Sequence, residues 1–359
     1  MIMSAEASVA NQPTFLKTWK PKRVVFTADA LNEPYGQEIF ERVQLLGLNI
    51  EVAANNRLAG LRGATERETY KLAKSTLAVV KAPPSQFKLQ PIPPSADWQF
   101  HLAQGCPAHC HYCYLAGSLS GPPVVKVYAN LPQILGNLQA YTQPGKLTTF
   151  EASCYTDVLA IEHLTGGLAK AIEHFAGMHG AQLRFVSKFT AVDSLLPLQH
   201  NGNTRARLSI NLPEVARRFE GGTPNIAQRI EALRKLSAPK SESGGGYPIG
   251  VVLAPIMPLD NWKEQYHVLL DDLQTALAHA PDLTFELITH RFTEGSKNLL
   301  QEWYPATGLD MTEAGRSKKL NKFGGTKWVY QSTTMKEMKT FFYEGISRRM
   351  PGAKILYWT

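Results

Sequence analysis

The chain has 359 residues, 44% hydrophobic and 19% charged, which is ordinary for a globular protein and long enough to bury a full core. Its longest apolar runs, such as Ile249 to Met257, fall short of the ~18–20 residues needed to cross a bilayer, and Met1 to Pro13 has no basic stretch leading into an apolar one. A membrane span and a secretory signal are therefore not expected; the expected location is cytoplasmic, with the four cysteines as thiols and the formal charge of +8 suited to a polyanionic partner.

Residues 1–21 are expected to be a tail. From 22 to 97 a small α/β unit is predicted, with strands at Arg23–Thr27, Leu48–Val52 and Thr76–Val80 and helices at Gly36–Leu46 and Glu66–Lys74. A linker rich in proline, with Pro83, Pro84, Pro91, Pro93 and Pro94, closes it.

From Trp98 the pattern becomes a regular alternation of short apolar strand and longer amphipathic helix. Six strands are predicted, at Trp98–Leu102, Thr148–Ser153, Gln182–Val186, Arg205–Ile210, Ile249–Ile256 and Leu283–Ile288. The helices between them are predicted at Leu131–Tyr141, Val158–Met178, Pro213–Phe219 with Pro224–Lys235, and Trp262–His279; Asp157 and the Thr223-Pro224 pair act as start signals. Alternation of this kind implies βαβ units on a parallel sheet. Six units over 98–292 predict a partly open (β/α)6 barrel, in which chemistry gathers at the carboxyl ends of the strands. Residues 293–359 are expected to be mainly helical, with a β-hairpin over 322–330 whose tip carries Lys327 and Trp328, a helix over Met335–Arg349 and a last strand at Ile355–Trp358.

Three of the four cysteines fall in Gly-Cys-Pro-Ala-His-Cys-His-Tyr-Cys-Tyr at 105–114, as Cys106, Cys110 and Cys113. A [4Fe–4S] cluster is usually held by four thiolates, so a compact run supplying three leaves one iron for an outside ligand. A zinc site made of the same three with Cys154, His101, His109 or His111 is the competing reading, although only Cys110 and Cys113 have the C-x2-C spacing that zinc favours. An open iron can be chelated by the amino and carboxylate groups of S-adenosyl-L-methionine (AdoMet), whose one-electron cleavage gives a 5′-deoxyadenosyl radical. The C-x3-C-x2-C spacing with an aromatic, Tyr112, before the last cysteine is the signature of the radical-SAM enzymes.

The other unusual residues fall on the same predicted face. Cys154 ends the second strand, Lys188 the third, Ser209 lies late in the fourth, Ala254 and Pro255 end the fifth, and His290 and Arg291 follow the sixth. A lone cysteine on a strand is ordinarily a small buried hydrophobe. Opposite a radical generator, the weak S–H bond makes Cys154 a candidate hydrogen donor. Lys188 is a candidate partner for the carboxylate of the cofactor, and His109 and His111 are expected to be structural.

The chain resembles the spore photoproduct lyases. The resemblance covers residues from about 22 to 359 and rests on the cysteine run at 105–115, Phe-Glu-Ala-Ser-Cys-Tyr-Thr-Asp at 150–157, Arg-Phe-Val-Ser-Lys-Phe at 184–189 and Ser-Ile-Asn at 209–211. It continues in Thr-Pro at 223–224, Ala-Pro-Ile at 254–256, Thr-His-Arg-Phe at 289–292 and the 323–330 hairpin, while the Gly-Gly-Glu stretch of other radical-SAM enzymes is absent after strand two.

The resemblance implies repair of 5-thyminyl-5,6-dihydrothymine, a UV-induced thymine dimer, in DNA. The deoxyadenosyl radical would take a hydrogen from C6 of the lesion, the bond between the thymines would break, and Cys154 would return a hydrogen, with Tyr112 and Tyr114 relaying one back toward AdoMet. Tyr112, Thr156, Lys188, Ser209 and Ala254 match positions used around the cofactor. UV-damaged DNA and a flavodoxin or ferredoxin as electron donor are the implied partners, and a monomer is expected. A damaged base must leave the stack to be repaired; Arg291, Lys318, Lys319 and Lys322 are expected to meet phosphates while Lys327 and Trp328 fill the gap.

Two departures bear on substrate: Tyr155-Thr156 stands where Thr-Ser is expected, and Trp328 stands where Tyr is usual. A radical-SAM enzyme acting on another nucleic-acid lesion or a small molecule, and a zinc-stabilised nucleic-acid-binding protein, are the alternatives.

Overall fold

The computed structural model describes residues 18–119, 121–320 and 325–359. Strands β1 (Arg23–Phe26), β2 (Ile50–Val52) and β3 (Thr76–Val80) form a parallel sheet close to the predicted limits. The helix Pro34–Leu45 begins on a proline that needs no N–H and buries Tyr35, Ile39 and Val43, one face at helical spacing. The helix Glu66–Lys74 has the predicted bounds and starts in a capping box, in which Thr65 and Glu68 satisfy each other's backbone N–H.

The proline-rich stretch is not only a linker. It supplies β4 (Gln90–Ile92), which pairs antiparallel with β5 (Ala96–Phe100). At this edge position Pro91 needs no outward donor. Beyond it, β6 (Ala103–Gln104) and β8 (Val125–Tyr128) return to the first sheet, giving the order β2-β1-β3-β8-β6, while β7 (His109–Cys110) lies between them in sequence and outside that sheet. The cysteine run is thus held between two strands of the sheet that the N-terminal residues begin.

The main sheet has eight strands rather than six. Strands β9 (Thr148–Ala152), β10 (Ala181–Ser187) and β11 (Thr204–Ile210) follow β5 in parallel, and two-residue β12 (Glu220–Gly221) stands apart. Then come β13 (Ile249–Ile256), β14 (Thr284–Thr289), the hairpin strands β15 (Arg316–Leu320) and β16 (Thr326–Tyr330), and β17 (Lys354–Trp358). The order β17-β14-β13-β11-β10-β9-β5-β4 keeps the six predicted strands in chain order in a curled half-barrel. The two additions lie at the edges, where β17 pairs parallel with β14 and β4 caps β5.

Alternation along the strands sorts their side chains between the faces. Phe150 of β9 meets Phe175 of the helix Gly167–Ala176, with ring centroids 5.6 Å apart, so Glu151 points to the opposite face. There Arg207 donates to both carboxylate oxygens of Glu286 at 2.8 Å and pairs with Glu151, Arg184 pairs with Glu286, and the Tyr357 hydroxyl donates to Glu286 at 2.6 Å. Charges this deep are tolerated because each has partners.

The helix predicted over Val158–Met178 is broken into Leu159–Ile161, Glu162–Thr165 and Gly167–Ala176. Gly166 turns left-handed at φ 65°, and the Glu162 carboxylate accepts from the amides of Leu168 at 2.8 Å and Ala169 at 3.0 Å, restarting the helix. The hairpin also departs from expectation. Its register pairs Lys318 with Trp328 and Lys319 with Lys327, so Lys327 and Trp328 lie within β16, not at the tip; Lys322 lies outside the described residues. The charged run of β15 carries no strand pattern of its own and pairs because Arg316 lies over the Tyr330 ring at 3.7 Å and Lys318 over Trp328 at 5.0 Å. Trp328 exchanges backbone hydrogen bonds with Phe292 at 2.7 and 3.2 Å, anchoring the hairpin beside the end of β14. The helix Ser332–Arg349 then leads to β17.

Candidate active site

The cysteine loop begins at Gly105, whose φ of 76° and position make glycine obligatory: a Cβ there would lie 2.1 Å from the Val124 carbonyl oxygen. β7 pairs antiparallel with β12, Cys110 opposite Glu220 and His109 opposite Gly221, and the His111 amide donates to the Phe219 carbonyl at 2.9 Å. From the other side, Lys74 donates to the carbonyls of Cys106 and Ala108. The Tyr70 hydroxyl bonds His109 Nδ1 at 2.8 Å and also the Tyr304 hydroxyl; His111 Nδ1 bonds the Thr307 hydroxyl at 2.9 Å and its ring stacks on Tyr304 at 4.2 Å. Tyr70 and Lys74 were not singled out by sequence, because their partners lie more than 30 positions away.

With His109 and His111 engaged as supports, the loop offers the free thiols Cys106, Cys110 and Cys113. Burial pushes Cys106 up to about 12 and raises Cys110 as well, so each keeps its proton until a cation replaces it. Three soft thiols without a fourth in the loop suit an iron–sulfur cluster with one open iron. Among the described residues no group of three or more His, Cys, Asp and Glu gathers around a point as a single zinc ion requires.

Next to the loop, the predicted cofactor residues meet around one that sequence reasoning missed. Lys188 Nζ donates to Glu220 at 2.7 Å and to the Tyr112 hydroxyl at 2.9 Å, and lies 3.5 Å from the Ala254 carbonyl oxygen. The Ser209 hydroxyl donates to the same Ala254 oxygen at 3.2 Å. Glu220 also accepts from the Tyr112 hydroxyl and pairs with Arg229, which donates to the Ser209 carbonyl at 3.0 Å. Burial alone would raise the Glu220 carboxyl, but Lys188 and Arg229 overcome this and hold it at about 2. The only sequence signal for Glu220 is an acid before the Gly221-Gly222 pair of a loop on the strand-end face. Asp157 places Lys188 by accepting from its amide at 2.8 Å, and from the Ser187 hydroxyl at 2.7 Å, while also receiving the Ala160 amide as the predicted cap. Thr156 stands apart from this group and donates to the Gly105 carbonyl at the start of the cysteine loop.

Cys154 follows Ser153, a non-glycine residue at φ 56° held by its amide to Phe100 and by its hydroxyl oxygen, which accepts from the Leu102 amide at 2.8 Å. Burial, then Glu151, pushes the Cys154 thiol far above its ordinary value, against a weaker pull from Arg207. It is therefore an S–H group, the form that can give up a hydrogen atom, and not a thiolate. Tyr114 is 61% exposed because it faces a cavity of about 350 Å³, also lined by Tyr112, Cys113, His290, Arg291 and Lys327. The enclosing walls, then the Cys154 and Cys113 thiols, hold the Tyr114 hydroxyl well above the usual value.

At the cavity rim the Lys327 amine is depressed by burial, then by Arg291 and Lys319. No ion pair is made by Arg291, Lys318, Lys319 or Lys327 among the described residues. His290 is buried and neutral, depressed to about 3 by burial and Arg316.

The sequence profile of the family described as spore photoproduct lyase matches residues 19–359. The spore photoproduct lyase of Geobacillus sp. (strain Y412MC61) is 39% identical over 349 residues, covering 96% of this chain and 100% of its own. That of Bacillus subtilis (strain 168) is 37% identical over 344 residues, covering 94% and 98%. A solved spore photoproduct lyase complexed with dinucleoside spore photoproduct matches with a TM-score of 0.89 at 39% identity, over 96% of this chain and 100% of that one. A variant with bound AdoMet and the same dinucleoside matches equally, with a TM-score of 0.89, 39% identity and the same 96% and 100% coverage. The residues that surround the cysteine loop and the fold that carries them lead to one assignment: this chain belongs to the spore photoproduct lyase family.

Proposed function

We infer that the chain is a radical-SAM DNA-repair lyase that reverses the spore photoproduct, 5-thyminyl-5,6-dihydrothymine, to two thymines. The observation that carries this is the convergence of Lys188, Tyr112, Ser209 and Ala254, drawn from separate strand ends and the cysteine loop, beside three free thiols. Cys106, Cys110 and Cys113 would hold a [4Fe–4S] cluster, and Lys188 would meet the AdoMet carboxylate, with Tyr112, Thr156, Ser209 and Ala254 shaping its seat. Together the cluster and AdoMet supply a 5′-deoxyadenosyl radical, able to take a hydrogen atom from carbon.

Cys154 is the hydrogen donor in this reading: its S–H bond breaks, a C–H bond forms on the thymine radical, and the sulfur is left one hydrogen short. Tyr114, which lines one cavity with Cys113 and Tyr112, and then Tyr112, which bonds Lys188, make up the return path. Arg291, Lys319 and Lys327 form an unneutralised cationic rim suited to phosphates, with Lys318 held on Trp328 beside it. The six consecutive parallel strands from β5 to β14 support a partial (β/α)6 radical-SAM barrel over 98–292, flanked by the 22–97 unit and the 293–359 segment. A reduced flavodoxin or ferredoxin is the class of electron donor the reaction requires.

Anaerobic incubation with reductant, AdoMet and oligonucleotides carrying the spore photoproduct tests the assignment, with recovery of two thymines per lesion as the expected product. A colourless, zinc-loaded and iron-free protein would sink it. One observation favours a second reading: Tyr155, a departure from the family pattern next to Cys154, packs on His101 with centroids 5.1 Å apart. Faster turnover of a different UV lesion in a panel of irradiated oligonucleotides would select that reading.

A further inference from the structure

Among the described residues Glu220 is the only acid that joins the cysteine loop to the strand ends carrying the cofactor contacts. It is 2% exposed, and its backbone is fixed by the ladder that sets it opposite Cys110. Thr223 adds a hydroxyl bond to the Glu220 carbonyl at 2.7 Å and accepts from Arg229 at 2.7 Å, so the turn cannot shift without breaking both. One carboxylate oxygen receives Lys188 and Tyr112, and the other faces Arg229. Lys188 would otherwise carry a flexible four-carbon stem ending in a strongly hydrated charge, with several rotamers open to it. Glu220 instead leaves its ammonium at one point, beside the Ala254 carbonyl and the Tyr112 hydroxyl.

We propose that Glu220 is a positioning residue of the AdoMet subsite, fixing Lys188 and Tyr112 against the cysteine loop so that cofactor affinity depends on it. The inference rests on the radical-SAM reading above. Lys188, Arg229 and Glu220 together carry one net positive charge, a match for one carboxylate. Loss of Glu220 would leave Lys188 and Arg229 as two buried cations that repel each other, so the Lys188 ammonium would no longer be held where a carboxylate can meet it.

The experiment compares wild type, Glu220→Gln, Lys188→Ala and the double variant after anaerobic cluster reconstitution. Iron content, thermal midpoint and AdoMet affinity by equilibrium dialysis are measured, together with the shift that AdoMet produces in the electron paramagnetic resonance of the reduced cluster. Glu220→Gln is expected to keep its iron and weaken AdoMet binding by about tenfold or more, the size usual for residues that orient a ligand-binding group. KM for AdoMet should rise by a larger factor than turnover at saturation falls. On the Lys188→Ala background the Glu220 effect should shrink, because the residue acts through Lys188. Wild-type affinity in an iron-replete Glu220→Gln protein, or a loss of equal size on both backgrounds, overturns the inference. If Glu220→Gln does not fold, Glu220→Asp keeps a charge for Arg229 while drawing back from Lys188, and the same criteria apply. A wild type that takes up iron but binds no AdoMet overturns the radical-SAM reading and this inference with it.

Discussion

Two sets of cations in this protein differ in what neutralises them. On the main sheet and beside its strand ends, Arg184, Arg207, Lys188 and Arg229 are all paired with Glu151, Glu286 or Glu220 inside the protein. At the cavity rim, Arg291 and Lys327, with Lys319 opposite Lys327 in the hairpin, make no ion pair among the described residues. Paired buried charge holds geometry, which a small cofactor and a hydrogen-atom transfer need. Unpaired charge at a rim leaves its partner to arrive from outside, which suits a phosphate backbone.

The sharpest way to break this contrast is at the reacting face. Cys154→Ala should leave folding and cofactor binding intact and nearly abolish clean formation of two thymines, by product analysis under anaerobic turnover; clean, complete repair would remove Cys154 from the donor role. Next, Arg207→Met strips Glu151 and Glu286 of their shared partner, and is expected to cost about 3–5 kcal/mol in chemical denaturation, the range for breaking a buried pair. A cost within error would mean that the network is not holding the sheet.

A pH series separates the neutral buried group from the charged ones. His290 stays unprotonated in the folded protein down to about 3, whereas the unfolded chain takes up that proton near 6.5. Stability should therefore fall as pH drops below 6.5, with a contribution of about 1.4 kcal/mol per pH unit from this group until its folded value is reached. Replacing it in His290→Gln should flatten the acid limb of a stability–pH curve by that slope. The smallest expected effect is at the rim: Lys327→Ala should weaken DNA binding at all sequences and lower the slope of log affinity against log salt by about 1, with AdoMet affinity unchanged. An unchanged slope would place Lys327 away from phosphates.

Much of this was legible before any fold was known. The six parallel strands show as apolar runs between helix signals, and the Glu66–Lys74 helix announces itself through Thr65 and Glu68. Where sequence reasoning fell short, local pattern had been overruled by partners distant in the chain. The hairpin strand Arg316–Leu320 looks like a charged surface loop until aromatic faces from β16 receive its cations. The break at Gly166 needed the Glu162 carboxylate to restart the helix, and the two edge strands of the main sheet come from the proline-rich stretch and from the last residues of the chain.

The sequence by itself determined which reactive residues are present and where: C-x3-C-x2-C at 106–113, a lone Cys154, and Lys188, Ser209 and Ala254 at intervals that βα units bring to one face. Those are properties of residue type and spacing. Only the tertiary structure decided how the site is held, through Glu220 on a two-residue ladder with Cys110, and through Tyr70 and Lys74 of the N-terminal unit supporting the cysteine loop. Such contacts join residues 32 to 110 positions apart, Lys74 with Cys106 and Cys110 with Glu220 among them, and no local pattern records which distant side chain will neutralise a buried charge.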